Sequence, residues 1–233
     1  HHTASTAALV GGGSYPRPGE ISLAHKGVLF LDELPEFKRS TLETLRQPIE
    51  NGTITISRAL MSAVFPSELL VAAAMNPCMC GNFGDPMREC RCTPFQIRSY
   101  MSRISGPLLD RIDIHIEVPR VPYRDLRDRR AGASSAEMRE QVIAARDCQR
   151  HRFPGDRVST NARMTNHHIA RYCQLDADTE ELLEQAMGQH AFSARSYTRI
   201  LKMARTIADL AGSEGIQTAH LAEAIQYRPR RGL

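Results

Sequence analysis

The pattern of apolar and polar residues in the first half of the chain predicts short strands joined by helices and turns. Two apolar runs, Gly27–Leu31 and Leu69–Met75, are typical of parallel strands that are buried on both faces. After the Asn51-Gly52 turn, Thr53–Ser57 alternates with period two, which predicts a hairpin with Ala63–Phe65. We therefore expect an α/β part.

Three further segments complete this part and its boundary. Ser40–Pro48 has apolar residues at helical spacing and predicts a short helix. Ile112–Val118 alternates strictly and ends at Pro119, so it predicts a strand near the sheet edge with one solvated face. The following residues, up to Ser135, are rich in proline, glycine, serine and charge, which is typical of a linker.

From Ala136 onward the spacing of apolar residues is helical. The predicted helices are Glu137–Arg150, Asn166–Cys173, Thr179–His190, Ser193–Ala211 and Thr218–Tyr227. In the fourth helix, Tyr197, Leu201, Ala204 and Ala208 share one face. We predict an α/β core over 1–120, a linker over 121–136 and a helical domain over 137–233.

Composition excludes several classes of protein. The 233 residues are enough for one large domain or two small ones, and 42% hydrophobic with 24% charged residues excludes disordered, collagen-like and coiled-coil chains. No apolar run approaches the roughly 18 residues of a membrane span, and no basic then apolar leader opens the chain, so we expect a soluble, cytoplasmic protein. A net charge of +4 permits phosphate-bearing partners without requiring them.

Polar residues follow both apolar strands. Asp32 and Glu33 end the first run and Asn76 ends the second, at the sheet edge where ligands bind in open α/β folds. One carboxylate could hold Mg²⁺ through water while the other polarises an attacking water, and Asn76 could orient that water or a phosphate. The alternatives are acidic residues at a helix N-terminus and an ordinary Asn-Pro turn.

Two arginines have positions suited to phosphate. Arg111 lies just before the predicted strand at 112–118, where it could reach a phosphate across a subunit boundary; the alternative is an ion pair with Asp110 or Asp113. Arg195 lies in the first turn of the helix that Ser193 is expected to cap, where an arginine opposes the helix dipole. A bound anion would explain that placement.

Four of the six cysteines fall in one short segment, as Cys78-x-Cys80 and Cys90-x-Cys92. Glycines and a proline between the two pairs would allow the loop to fold back, so that four thiolates form a tetrahedral Zn²⁺ site. Such a site would be structural, because four cysteine ligands leave no open position for catalysis. The alternative is a set of reduced thiols on a surface loop.

Several of these segments together resemble one family. Gly27–Phe37 looks like a Walker B segment, and the supporting stretches are His1–Ser5, Gly11–Gly13, Pro18–Ala24, Ile104–Asp113 and Ser193–Leu210. The chain is similar over essentially its whole length to AAA+ ATPases of the magnesium-chelatase subunit I type, specifically the ComM/YifB family. The resemblance implies a partial AAA+ P-loop-type parallel sheet with helices, followed by an all-helical lid domain.

The resemblance also assigns roles to residues. It implies that Asp32 is the Walker B acid associated with Mg²⁺ and that Glu33 activates water. Asn76 would be sensor 1, Arg111 the arginine finger that acts on a neighbouring subunit, and Arg195 the sensor 2 residue that contacts the nucleotide phosphate. The implied cofactors are ATP and Mg²⁺.

ComM/YifB-like proteins are ring-forming ATPases, so the resemblance implies a homo-oligomeric ring, a hexamer in the full-length protein. It also implies DNA as partner, with helicase activity that promotes branch migration in natural transformation. The hairpin near Thr53–Phe65 would then face the ring pore, with Arg58 as a DNA-contacting residue. The alternative for Arg58 is a solvated turn residue.

The chain departs from the family pattern in one respect. It contains no Gly-Lys pair and hence no Gly-x-x-x-x-Gly-Lys-Ser/Thr loop, and it opens at His1 without methionine. We therefore expect the chain to be a C-terminal portion of the family's protein, which by itself is inactive as an ATPase and prone to aggregation. A magnesium-chelatase-type motor is the enzymatic alternative, which the four cysteines disfavour. The other alternative is a non-catalytic, zinc-braced fragment that binds DNA or a partner.

Overall fold

The computed structural model describes residues 3–57, 61–121, 132–156, 158–190 and 192–228. The chain divides into two compact units, the first ending at Ile112 and the second beginning at Asp113. The described part is a mixed α/β structure with a small parallel sheet and many helices. Two expectations stay predictions: the division into a core over 1–120, a linker over 121–136 and a helical domain over 137–233, and the identity of the last part as an all-helical lid.

The first unit consists of short elements. In chain order they are α1 (Thr6–Val10), β1 (Gly11–Gly12), β2 (Arg17–Pro18), α2 (Glu20–Leu23), β3 (Val28–Leu31), a 3₁₀ turn (Leu34–Glu36), α3 (Arg39–Glu43), α4 (Arg46–Asn51), β4 (Thr53–Ser57), β5 (Ser62–Pro66), β6 (Leu70–Ala73), α5 (Pro94–Met101) and α6 (Gly106–Leu109). The helix predicted over 40–48 is thus two helices, with a break at Thr44–Leu45.

β3 and β6 pair in parallel, with Val28 opposite Leu70 and Leu31 opposite Ala73. The predicted parallel strands are therefore confirmed. The prediction that these strands are buried on both faces is wrong, because Leu29 and Leu31 are buried whereas Val28 and Phe30 are each 60% exposed. The residues that the structure describes cover one face of this pair, because successive side chains of a strand point to opposite sides.

The hairpin of β4 and β5 is confirmed, with Ile54 opposite Phe65 in an antiparallel ladder. Gly52 ends α4 in the left-handed conformation, at φ 67°, which turns the chain into β4. Ile54 and Ile56 then point into the core of the first unit. That core also contains Leu9, Ile21, Leu29, Leu31, Leu34, Phe37, Leu42, Leu45, Ile104 and Leu108.

The prediction of a strand over 112–118 is wrong. These residues form neither a strand nor a helix, and Ile114, Ile116 and Val118 are 45%, 69% and 85% exposed. A strand requires a hydrogen-bonded neighbour, and within the described ranges none of the strands pairs with this segment. The alternating pattern alone therefore did not create a strand here.

The described residues of the second unit form the predicted helices. These are α7 (Ser135–Arg152), α8 (Asn166–Tyr172), α9 (Ala177–His190), α10 (Ala194–Leu210) and α11 (Thr218–Gln226), with a 3₁₀ turn at Asn161–Arg163. Ser134 begins α7 with a capping box, its hydroxyl accepting from Glu137 N. The core-facing stripe of α10 is confirmed at Leu201, Ala204 and Ala208, whereas Tyr197 is 41% exposed.

None of the helices in the described ranges is long and apolar enough to cross a membrane.

Candidate functional site

The carboxyl end of β3 carries the two predicted acidic residues. Asp32 and Glu33 are both exposed, and Asp32 Oδ1 accepts a hydrogen bond from Glu33 N at 2.9 Å. The backbone on either side is fixed by β6, since Ala74 N donates to Leu31 O at 2.9 Å and Leu34 N donates to Ala74 O at 3.0 Å. The carboxylates thus project from a backbone that the sheet holds in place.

Glu33 has a left-handed backbone, with φ 53° and ψ 48°. This conformation costs a residue with a side chain about 1–2 kcal/mol, and glycine avoids that cost. Packing maintains it, because the next residues, Leu34 and Pro35, are buried and begin the 3₁₀ turn. Strain of this kind is concentrated at functional sites, where it fixes the direction of a side chain.

Asn76 follows β6 by three residues and is exposed at the same sheet end as Asp32 and Glu33. Its backbone is next to Tyr100, a buried residue of α5. Burial raises the pKa of the Tyr100 phenol, and Glu36 adds to this, while Arg103 and a hydrogen bond with the Asn76 backbone act in the opposite direction. Tyr100 therefore braces the segment that presents Asn76, a contact that the sequence pattern did not indicate.

Arg111 is enclosed within its own unit and only 8% exposed. Its Nε and Nη2 atoms donate to Glu50 Oε2 at 3.0 and 2.5 Å, and its Nη1 atom donates to Pro107 O at 2.7 Å. In this conformation the guanidinium would have to leave Glu50 before it reached a neighbouring subunit. Glu50 could not be predicted as the partner of Arg111, because it lies 61 positions away in the sequence and no local pattern links the two residues.

Arg195 lies in the first turn of α10 and is exposed. Ser193 caps this helix as predicted, accepting a hydrogen bond from Ser196 N at 3.2 Å. The sensor role of Arg195 stays a prediction, as does that of Arg111. Arg58 lies outside the described residues.

The four clustered cysteines come together as predicted. Their sulfur atoms all lie within 4.8 Å of one another, and Cys78 Sγ is 3.4 Å from Cys80 Sγ and 3.7 Å from Cys90 Sγ. Four thiolates around Zn²⁺ at Zn–S of about 2.3 Å would be about 3.8 Å apart, whereas a disulfide requires about 2.05 Å. The spacing therefore fits a tetrahedral metal site and excludes disulfides in this arrangement.

Backbone amides also point at these sulfurs. Hydrogen bonds from the Asn82 and Arg91 backbones lower the pKa of Cys80 to about 6. The pKa of Cys90 is raised to about 12: a hydrogen bond with the Cys92 backbone favours its thiolate, but desolvation and the adjacent Cys80 and Cys78 outweigh it. Crowded thiols that resist joint ionisation are the kind of donor set that a divalent cation stabilises.

Comparisons with known proteins identify the family. Residues 1–126 match the family described as magnesium chelatase, subunit ChlI, and residues 132–228 match the family described as magnesium chelatase, subunit ChlI C-terminal. Competence protein ComM of Haemophilus influenzae is 48% identical and protein YifB of Salmonella typhimurium is 45% identical, each over 98% of this chain. A protein of Mycobacterium tuberculosis, Rv2897c, is 37% identical over 98% of the chain.

The chain spans less than half the length of these curated relatives, at 44%, 44% and 45% respectively. Because the two family matches together cover most of the chain, the chain belongs to the magnesium chelatase subunit ChlI family. Within this family it resembles ComM and YifB, as the sequence predicted.

Proposed function

We propose that this chain supplies the water-activating part of an AAA+ ATPase motor that remodels DNA. The observation that carries the proposal is the placement of Asp32, Glu33 and Asn76 at one end of the β3–β6 pair, with Glu33 held in a strained backbone conformation. A similar protein is named a competence protein, which supports DNA as the substrate.

Asp32 and Glu33 would divide the work of phosphoryl transfer. Both carboxylates are exposed at the sheet end, and carboxylate oxygen is the donor that Mg²⁺ prefers, so the residues fit this cation. Mg²⁺ supplies charge neutralisation on the phosphates. Asp32 would hold it through water, and Glu33 would accept a proton from a water whose oxygen attacks the γ-phosphorus as the bond to the ADP oxygen breaks.

Asn76 would orient that water through its amide, since it projects from the neighbouring strand end. Arg195 would stabilise charge on the phosphates from the same chain. The complete protein would form a hexameric ring. Arg111 would break its ion pair with Glu50 and act on the nucleotide of a neighbouring subunit. The sequence has no Walker A loop, so we expect these 233 residues alone to be inactive.

The four cysteines would hold a structural zinc ion that braces the loop following Asn76. This loop is the feature that favours a ComM/YifB-like motor over a magnesium-chelatase-type motor. Its zinc would take no part in hydrolysis, because four cysteine ligands complete a tetrahedral shell.

The test is ATP hydrolysis by the protein expressed from its complete gene, with and without DNA. We expect Asp32→Asn and Asn76→Ala to lower kcat at least about 100-fold, the usual scale for losing one positioned polar group. Glu20→Gln, a matched change of an exposed carboxylate on α2, should leave kcat within about twofold. Equal kcat values in all these variants would contradict the proposal.

A further inference from the structure

The turn that begins at Glu33 is held by an arginine from a distant segment of the chain. Arg103 follows α5 by two residues, and its Nη1 atom donates to Pro35 O at 3.2 Å and to Glu36 Oε2 at 3.0 Å. The last carbonyl groups of a helical turn have no partner within the turn, so a donor from elsewhere fixes them in place. Arg103 therefore holds the backbone two residues after Glu33.

Arg103 is itself attached to a well-packed base. Its backbone N donates to Tyr100 O at 3.3 Å, and the next residue, Ile104, is buried in the core of the first unit. The guanidinium carbon lies 5.9 Å from the centre of the Tyr100 ring, a distance at which the ring attracts a cation. These contacts limit the directions that the long arginine side chain can take.

Tyr100 connects the same base to the second strand end. It is 4% exposed, and its phenol forms a hydrogen bond with the Asn76 backbone. Arg103 thus contacts the segment that follows β3, and Tyr100 contacts the segment that follows β6. Two residues three positions apart hold the two strand ends that carry Glu33 and Asn76.

The backbone conformation of Glu33 requires such support. A left-handed backbone is unfavourable for a residue with a side chain, so the turn relaxes unless contacts on both of its sides oppose the change. Leu34 N donates to Ala74 O at 3.0 Å and fixes the side next to the sheet, whereas Arg103 fixes the far side. Relaxation of this turn would change the direction of the Glu33 carboxylate.

We propose that Arg103 is a positioning residue for ATP hydrolysis, which directs the Glu33 carboxylate towards the attacking water, and that Tyr100 does the same for Asn76. The inference deepens the proposed function and rests on it. Arg103 acts through the backbone that follows Glu33 and not through a contact with the nucleotide. It therefore affects the rate of hydrolysis and leaves the binding of ATP unchanged.

The test is steady-state ATP hydrolysis by the complete protein. Arg103→Ala should lower kcat about 10- to 100-fold with KM for ATP within about twofold, because a displacement of about 1 Å near reacting groups costs up to about 100-fold in rate. Arg103→Lys keeps a cation with three donors for Pro35 O and Glu36, and it should restore kcat to within about fivefold of the parent value. Tyr100→Phe removes the hydroxyl and keeps the ring, and it should lower kcat about fivefold.

Arg98→Ala is the matched control, because Arg98 is an exposed arginine on α5 itself. This variant should leave kcat within about twofold. Melting temperatures establish which variants are folded at the assay temperature. Tyr100→Phe, the mildest of the changes, tests the proposal if Arg103→Ala does not fold.

A second measurement asks whether Arg103 acts through Glu33. When Arg103→Ala is added to Glu33→Gln, single-turnover hydrolysis of radiolabelled ATP should fall by less than about twofold, since the group that Arg103 positions is already lost. Equal fractional losses in the parent and Glu33→Gln backgrounds would overturn the proposal, because Arg103 would then act independently of Glu33. A raised KM with unchanged kcat would also overturn it and make Arg103 a nucleotide-binding residue.

Failure of this inference differs from failure of the proposed function. If Glu33→Gln alone leaves kcat unchanged, the water-activating role of Glu33 is wrong, and the positioning role falls with it. If Glu33→Gln abolishes turnover while Arg103→Ala behaves like Arg98→Ala, the proposed function stands and only the positioning role is wrong.

Discussion

Asp209 on α10 is the centre of a buried charge network, and its replacement should strongly destabilise the second unit. Its side chain is 1% exposed. Its Oδ1 and Oδ2 atoms accept from Arg152 at 2.5 and 2.7 Å, Oδ1 accepts from Arg205 Nε at 3.0 Å, and Oδ2 accepts from Asn161 Nδ2 at 2.7 Å. The carboxylate therefore joins α7, α10 and the turn at 161–163.

Asp209→Asn keeps the volume of the side chain and removes its charge. Arg152 and Arg205, with side chains 14% and 3% exposed, would then face each other without a counter-ion. Removing one partner of a buried ion pair costs about 3–5 kcal/mol, a large fraction of the 5–15 kcal/mol that stabilises an ordinary domain. For a unit of this size, the melting temperature should fall by more than about 10 °C.

Urea unfolding followed by circular dichroism measures this loss. Asp147→Asn is the matched control, since Asp147 pairs with Arg150 on the exposed side of α7, where such pairs contribute about 0–1 kcal/mol. A free energy of unfolding for Asp209→Asn within about 1 kcal/mol of that for Asp147→Asn would show that the buried network stabilises the unit no more than an exposed ion pair does.

The same network predicts a pH dependence. Burial alone would raise the pKa of Asp209, but hydrogen bonds from Arg152 and Asn161 hold it below the ordinary value of 3.8. A lowered folded-state pKa contributes stability that is present above the unfolded value and is lost as the pH falls through the folded value. The parent chain should therefore lose stability below about pH 4, and Asp209→Asn should show a shallower loss there.

Three further predictions concern the first unit. Glu33→Gly should raise the free energy of unfolding by about 1 kcal/mol, because glycine relieves the strain of the left-handed backbone. In the complete protein the same variant should abolish ATP turnover, and unchanged turnover would contradict the role assigned to Glu33. One equivalent of Co²⁺ should give a tetrahedral thiolate spectrum, with affinity lowered more than about 100-fold by Cys90→Ser and unchanged by Cys148→Ser. Gly19→Ala should cost about 1–3 kcal/mol in chemical unfolding, since its Cβ would lie 2.4 Å from Leu9 O; a neutral effect would refute this packing.

Local patterns predicted the elements of this fold well. The apolar runs indicated the β3–β6 pair, period two indicated the β4–β5 hairpin, and helical spacing indicated α7 to α11. Each of these signals resides within a few neighbouring positions of the sequence.

Exposure and long-range pairing were less predictable. The exposed positions of Val28 and Phe30 could not be foreseen, because an apolar run does not specify what covers each face of a strand. The strand expected over 112–118 failed for a related reason, since alternation specifies faces and not a hydrogen-bonded neighbour.

The candidate site shows the same division. Asp32, Glu33 and Asn76 could be placed at one sheet end because each follows a recognisable strand. The cysteine cluster could be foreseen from its spacing. The Arg111–Glu50 pair could not, because it joins residues far apart in sequence through packing of α4 against the segment after α6.

If Glu33 activates water for ATP hydrolysis, a Glu33→Gln variant of the complete protein should bind ATP without cleaving it, and the nucleotide that it retains reports this. After incubation with Mg²⁺ and ATP and rapid removal of free nucleotide, the variant should retain intact ATP while the parent protein retains ADP. Recovery of ADP from Glu33→Gln at the parent rate would show that Glu33 does not activate the water.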